Sequence, residues 1–210
     1  MSTLFDEWPW LKKLGLGGVH VQSGSRHSGV YGLNYLAVGH LLREKTTGFR
    51  AFVTGYAEKF FGPEAGPVMA KLIFRWEERM RHADIPHVHS SPFFCLNPVF
   101  RPEDLAYCRD RCGEALAATD DPVFRWRIER IYSLLVYTGL WSKAERFWTL
   151  KKDNRLSERD KQDLGQWLGE MEAFTERHLA LDDGIFDFVF GGNFLLPRLR
   201  QMFTAGPKQK

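Results

Sequence analysis

The sequence predicts a mainly α protein, a bundle of about six helices with one short N-terminal strand and a candidate C-terminal hairpin. Three observations carry this prediction. Apolar residues recur at three- and four-residue spacing through several long segments, the period of a helix with one buried face. The breaks between these segments hold Pro, Gly, Asp and Ser, the residues that end one helix and cap the next. Strand-like sequence is confined to two short stretches, Gly17–Gln22 and Ile185–Leu196.

Taken in order, Phe5–Leu14 reads as a short helix, followed by the Gly17–Gln22 strand and a polar, Gly-rich loop over 23–29. Tyr31–Arg43 reads as a helix with Tyr35, Val38 and Leu42 on one side. Thr47 is placed to cap the next helix, whose stripe is Phe49, Phe52, Val53, Tyr56, Phe60 and Phe61. Gly62-Pro63 then closes it and starts another, since proline is tolerated in a first turn. That helix buries Met69, Leu72, Ile73, Trp76 and Met80. Asp84–Arg101 holds three prolines and no helical period, so it reads as a long loop.

Pro102-Glu103-Asp104 places negative charge at the start of a further helix, where the helix dipole favours it, and Asp121-Pro122 repeats the device. The Val123–Leu140 helix presents Trp126, Ile131, Leu134, Leu135 and Trp141. Ser142 and Glu145 have capping-box spacing and predict a bend with a new helix after it. Lys151–Leu156 reads as a connection. Ser157 and Asp160 start the last long helix, with Leu164, Trp167, Leu168, Met171, Phe174 and His178 on one face. The hairpin, two strands about Gly191-Gly192, needs a partner surface because an isolated hairpin is marginal in water. That surface is the helices, the Gly17–Gln22 strand or another chain; pairing with Gly17–Gln22 would satisfy the backbone of both segments, and without it the first strand is left frayed.

Composition narrows the function classes. With 17 Phe and 7 Trp the chain is too aromatic for a disordered segment. A net charge of +3 is mild, and Arg75, Arg79, Arg81, Arg125, Arg127 and Arg130 stand among acidic neighbours, as on solvated helix faces. Nucleic acid is therefore not an expected partner, for want of one clustered basic face. No apolar run approaches the ~20 residues of a membrane span. Asp6-Glu7 stands where a signal peptide would be basic, so the chain as written reads as cytoplasmic, and as exported if a segment precedes it. Three cysteines cannot close a disulfide framework, which fits a reducing compartment.

The motifs Gly17-Gly18-Val19-His20-Val21-Gln22, Tyr31-Gly32-Leu33-Asn34-Tyr35-Leu36 and Phe60-Phe61-Gly62-Pro63-Glu64-Ala65, with an Arg- and Tyr-bearing helix over 125–137, occur in a fixed order. This order resembles a family of bacterial glycoside-hydrolase-like proteins of unknown function, related in architecture to α-glucuronidases. The resemblance spans Trp10 to Leu140. It implies that Gly17–Gln22 is the last strand of a (β/α)8 barrel and that a helical region follows it. The implied division is 1–30 as strand remnant and loop, 31–183 as helical domain and 184–210 as tail.

Because barrel enzymes bind substrate at the C-terminal ends of their strands, the resemblance implies ligand-binding roles for Gln22, Arg26, His27, Asn34 and Tyr35. It implies carbohydrate as ligand and an upstream barrel as partner; another copy of the chain is the alternative partner, from the unpaired strand-like segments. The sequence departs from the pattern at Val21, where an acidic residue is expected, and at Arg43-Glu44-Lys45, in place of Trp-Asp/Asn-Pro.

Glycoside hydrolysis generally uses two carboxyl groups, ~5–5.5 Å or ~6.5–9.5 Å apart. Most acidic residues here fall at helix starts or on charged faces: Asp120-Asp121 reads as a cap and Asp182-Asp183-Gly184 as a turn. No catalytic residue is assigned, and a non-catalytic portion of such a protein is the expected function. A free-standing helical binding or dimerisation module is the alternative. A zinc-stabilised domain is the third reading, from His82, His87, His89, Cys95, Cys108 and Cys112, whose types suit zinc. Their spacing misses the usual paired pattern, and Cys108 and Cys112 share a stripe with Leu105, Ala115 and Thr119, so core cysteines and no cofactor are expected.

Overall fold

The computed structural model describes residues 1–15, 28–43, 47–83, 100–152, 155–179 and 200–201. Among these there are seven helices and no strand: α1 (Ser2–Lys13), α2 (Ser28–Leu42), α3 (Phe49–Phe61), α4 (Gly66–His82), α5 (Pro102–Ala117), α6 (Pro122–Lys152) and α7 (Glu158–Leu179). The mainly helical prediction holds. The Gly17–Gln22 strand, the 185–196 hairpin and their pairing lie outside the described residues, as does nearly all of the predicted Asp84–Arg101 loop.

The core forms in two clusters. In the first, α3 packs on α4, α4 on α5, and both α3 and α5 on the N-terminal half of α6. Val53, Ala57, Phe61, Met69, Leu72, Cys108, Cys112, Ile128 and Leu135 fill it. The predicted stripe of α3 is real, but Ala57, which the stripe omitted, is fully buried, while Phe49, Phe52, Tyr56 and Phe60 are only half-buried around the rim. On α4 Met69 and Leu72 are buried as expected, whereas Met80, at the far end, is exposed. On α2 the buried residues are Ala37 and Leu41 rather than Tyr35, Val38 and Leu42, and Leu42 faces out. That helix is apolar nearly all round, so periodicity could not choose its face.

The second cluster lies between the C-terminal half of α6 and α7: Leu140, Trp141, Ala144, Phe147, Leu164, Trp167, Met171 and Phe174. The predicted face of α7 is the buried one. Ile131 packs against both clusters. They share α6, a continuous helix of 31 residues and therefore ~46 Å in length. The predicted break at Ser142 does not occur: the Ser142 hydroxyl donates to the Gly139 carbonyl at 2.8 Å, which lets a serine sit inside a helix rather than at its start.

The helix ends follow local chemistry with two corrections. Gly48, not Thr47, is the N-cap of α3, and no side chain caps it. Pro63 lies in the turn after α3, and Pro67 is the proline in the first turn of α4. The turn is dictated by its two glycines. Gly62 has φ +92°, and a Cβ there would stand 2.6 Å from the Phe124 ring; a Cβ on Gly66 would stand 2.6 Å from Glu58 Cα. Only glycine allows that conformation and so close a helix approach.

At α6, Asp121 Oδ1 accepts from the Val123 and Phe124 amides at 2.8 and 3.2 Å, an N-cap as predicted. At α7, the Asp160 amide donates to Ser157 Oγ at 3.1 Å and the Ser157 amide to Asp160 Oδ2 at 3.0 Å, a reciprocal capping box. The Ser157 hydroxyl and amide hold the Asp160 carboxyl below the usual carboxylate range, with Arg146 assisting.

The arginines do more than form the predicted solvated faces with local ion pairs, one of which, Arg75 with Glu78 at 3.3 Å, is present. Arg125 Nη1 donates to the Leu116 and Thr119 carbonyls at 2.6 and 3.0 Å, and Arg127 Nη1 to the Phe60 carbonyl at 2.8 Å. The start of α6 thus serves carbonyls at the ends of α5 and α3, which have no partner within their own helices. Arg127 also lies over the Phe60 ring, 4.4 Å from its centroid. Arg75 Nη2 and Arg79 Nε meet the buried Asp104 at 2.6 and 2.9 Å, which ties α4 to α5. Asp104 thus stands in the first turn of α5, as predicted, and is a tertiary anchor as well.

Candidate functional site: a groove between two helices

Of the five residues predicted to contact ligand, Gln22, Arg26 and His27 lie outside the described residues. Asn34 and Tyr35 are on α2, where Asn34 is exposed and Tyr35 half-buried. Tyr35 borders a groove of about 540 Å³ between α2 and α3, whose lining does not include Asn34. Sites for small molecules are commonly of this size, ~300–1,000 Å³.

From α2 the groove takes Tyr35, Leu36, Gly39 and His40, with Arg43 just beyond the helix; α3 contributes Ala51, Phe52, Gly55, Tyr56 and Lys59. His40 packs on the Phe52 ring at 4.9 Å between centroids, and Phe5 of α1 backs both, 5.3 Å from Phe52. Tyr56 stacks on Phe60 at 5.2 Å. Burial pushes the Tyr56 hydroxyl up to about 12, although Arg127 pulls the other way. At neutral pH Tyr56 is therefore a hydrogen-bonding phenol and not a base. The described lining carries two cations, Arg43 and Lys59, and no acidic side chain. Sequence reading singled out Tyr35 as a ligand contact but missed His40, Arg43 and Lys59. A signal was available, since Gly39 and Gly55 stand inside helices where glycine is costly.

A larger cleft of about 980 Å³ lies among α1, α3, α4 and α5. Several of its charges are engaged with one another. Glu77 accepts from the Met1 amine at 3.0 Å and from the Ser2 amide at 2.6 Å, and Arg81 pairs with Asp6. Burial tends to raise the Glu77 pKa, but the hydrogen bonds from Ser2 and the Met1 amine outweigh it and hold the carboxyl lower. This arrangement fastens α1 to α4. Trp8 is buried in the process, whereas Trp10 is 60% exposed.

Cys108 and Cys112 are wholly buried, as expected of core residues. Burial pushes both thiols up to about 12, so they are held protonated at neutral pH. His82 is exposed beside the charged cleft, while His87, His89 and Cys95 lie outside the described residues. No group of three or more His, Cys, Asp or Glu converges among the described residues. Nor, among them, is any helix long and apolar enough to cross a membrane. In comparisons with protein-family models, curated proteins and solved structures, no match is found.

Proposed function

We propose that this chain is the C-terminal helical portion of a carbohydrate-active, glycoside-hydrolase-like protein and does not hydrolyse sugars by itself. The ordered motifs from Gly17 to Ala65 support the first half of this reading. The second half rests chiefly on one observation: Asp104, the buried carboxylate of the described core, is clamped by Arg75 and Arg79. A general acid or nucleophile has to face substrate, and this group is spent on joining two helices. Asp121 and Asp160 are likewise occupied in capping.

A second reading, a free-standing binding module, is favoured by the self-contained packing of α3–α6, whose core residues close on one another.

The test joins this chain to whatever coding sequence lies upstream and assays aryl glycosides with the joined protein and with the chain alone. The first reading expects hydrolysis only from the joined protein, with barrel-like sequence upstream. Hydrolysis by the chain alone would refute the non-catalytic part. Unrelated sequence upstream, with a cooperative melt of the short chain, would favour the module.

A further inference from the structure

We propose that the α2–α3 groove binds a small ring-bearing carboxylate. This goes beyond the carbohydrate reading and does not depend on it. Charge complementarity comes first. Arg43 and Lys59 border the groove, and no acidic side chain does among its described lining. Elsewhere on the molecule several cations are matched by carboxylates, as Arg81 is by Asp6 and Lys143 by Glu170.

Shape comes second. Gly39 and Gly55 border the groove from opposite helices, and a Cβ added at either meets no atom within 4 Å. Neither glycine has the packing reason that governs Gly62 and Gly66. The space is walled by the rings of Tyr35, His40, Phe52 and Tyr56, which suit a flat body.

A third observation is His40 itself. Its Nε2 is shielded from solvent and has no hydrogen-bond partner among the described residues, a condition that buried polar atoms rarely sustain. A polar group bound in the groove within reach of that nitrogen would supply the partner it lacks. Arg43 supplies a planar fork suited to a carboxylate, Lys59 a second positive charge, and Tyr56 a phenol that remains neutral.

The test titrates the chain with benzoate, benzamide and phenyl phosphate and follows binding by ligand-observed NMR and calorimetry. Benzoate is expected to bind roughly tenfold more tightly than its neutral amide, and Arg43→Gln with Lys59→Gln to erase that preference. Gly55→Leu should abolish binding while leaving the melting temperature unchanged or higher, because leucine is the better helix former. Equal binding of benzoate and benzamide would overturn the proposal, as would benzoate binding that survives Gly55→Leu. Absence of binding by every probe would do the same. Preference for phenyl phosphate would overturn the assignment to a carboxylate. A clear fall in the melting temperature of Gly55→Leu would show that the chain itself fills the groove, and the proposal would fail.

Discussion

The two core clusters solve the same packing problem with different side chains. Four helices meet in the first, and much of it is small: Ala57, Ala65, Ala70, Cys108, Cys112 and Ala115 are buried there, with Gly66 against the backbone of α3. Small residues let helix axes come close, so each helix finds partners on several sides. Among the described residues the second cluster draws on α6 and α7 and uses Trp141, Phe147, Trp167 and Phe174. Two helices enclose little volume, and large rings are needed to cover the seam and exclude water. Trp141 and Trp167 meet edge to face at 6.4 Å, and Trp167 Nε1 donates to the Leu140 carbonyl at 2.7 Å, so the ring is anchored as well as packed. Close approach holds the first region together, and a few large side chains hold the second.

Trp167→Ala should have the largest effect, a loss of about 3–5 kcal/mol from the second cluster. Unfolding followed by two probes, one in each cluster, should then show α7 detaching before the α3–α6 core melts. A single coincident transition would mean that the long α6 couples both clusters into one unit.

Asp104→Asn comes next and probes the first region, where polar ties supplement small-residue packing. It should cost about 2 kcal/mol, since the amide cannot replace both the charge-assisted bonds from Arg75 and the ion pair with Arg79, and Arg75 is itself partly exposed. The shift of the urea midpoint measures it, and a shift near zero would show that the ties between α4 and α5 are incidental.

Ser157→Ala removes one half of the α7 capping box, with an expected loss of about 1 kcal/mol. It should weaken the second cluster without altering thiol protection in the first, which reaction of Cys108 and Cys112 with a thiol reagent would report.

The smallest effect near neutrality is a pH dependence belonging to the first region. Cys108, Cys112 and Tyr56 have pKa values pushed up to about 12, with burial the leading cause. In the unfolded chain cysteine ionises near ~8.5 and tyrosine near ~10, so above that range the unfolded state binds fewer protons than the native one. Their contribution to stability is thus complete below about pH 8.5 and is lost as the pH climbs towards about 12. Urea midpoints measured at about pH 7, 9 and 10.5 should fall in that order. A flat series would show that these groups become accessible before they titrate.

Much of the architecture was legible wherever the chain is amphipathic. On α7, with polar residues between Leu164, Trp167, Met171 and Phe174, the buried face was read correctly, and Ser157 marked the start of that helix. The reading failed on α2, where Gly, Leu, Ala and Val surround the helix and only its neighbours select Ala37 and Leu41. It failed again at Ser142, because the same serine can cap a helix or bond back to a carbonyl within one. The groove was barely legible. Arg43 and Lys59 are ordinary surface cations in the sequence and become a pair only because α2 and α3 border one groove.

Sequence by itself determined the helical class, the places where most helices begin and end, and the role of Cys108 and Cys112 as core residues. Those are local matters, set by period, capping and hydrophobicity over a few turns. Only the tertiary structure decided that Arg125 and Arg127 serve the ends of neighbouring helices, that Asp104 joins α4 to α5, and that the space beside Gly39 and Gly55 stays open. Each of these depends on residues brought together from different helices, and a hydrogen bond or a cavity of that kind leaves no periodic trace in either segment alone.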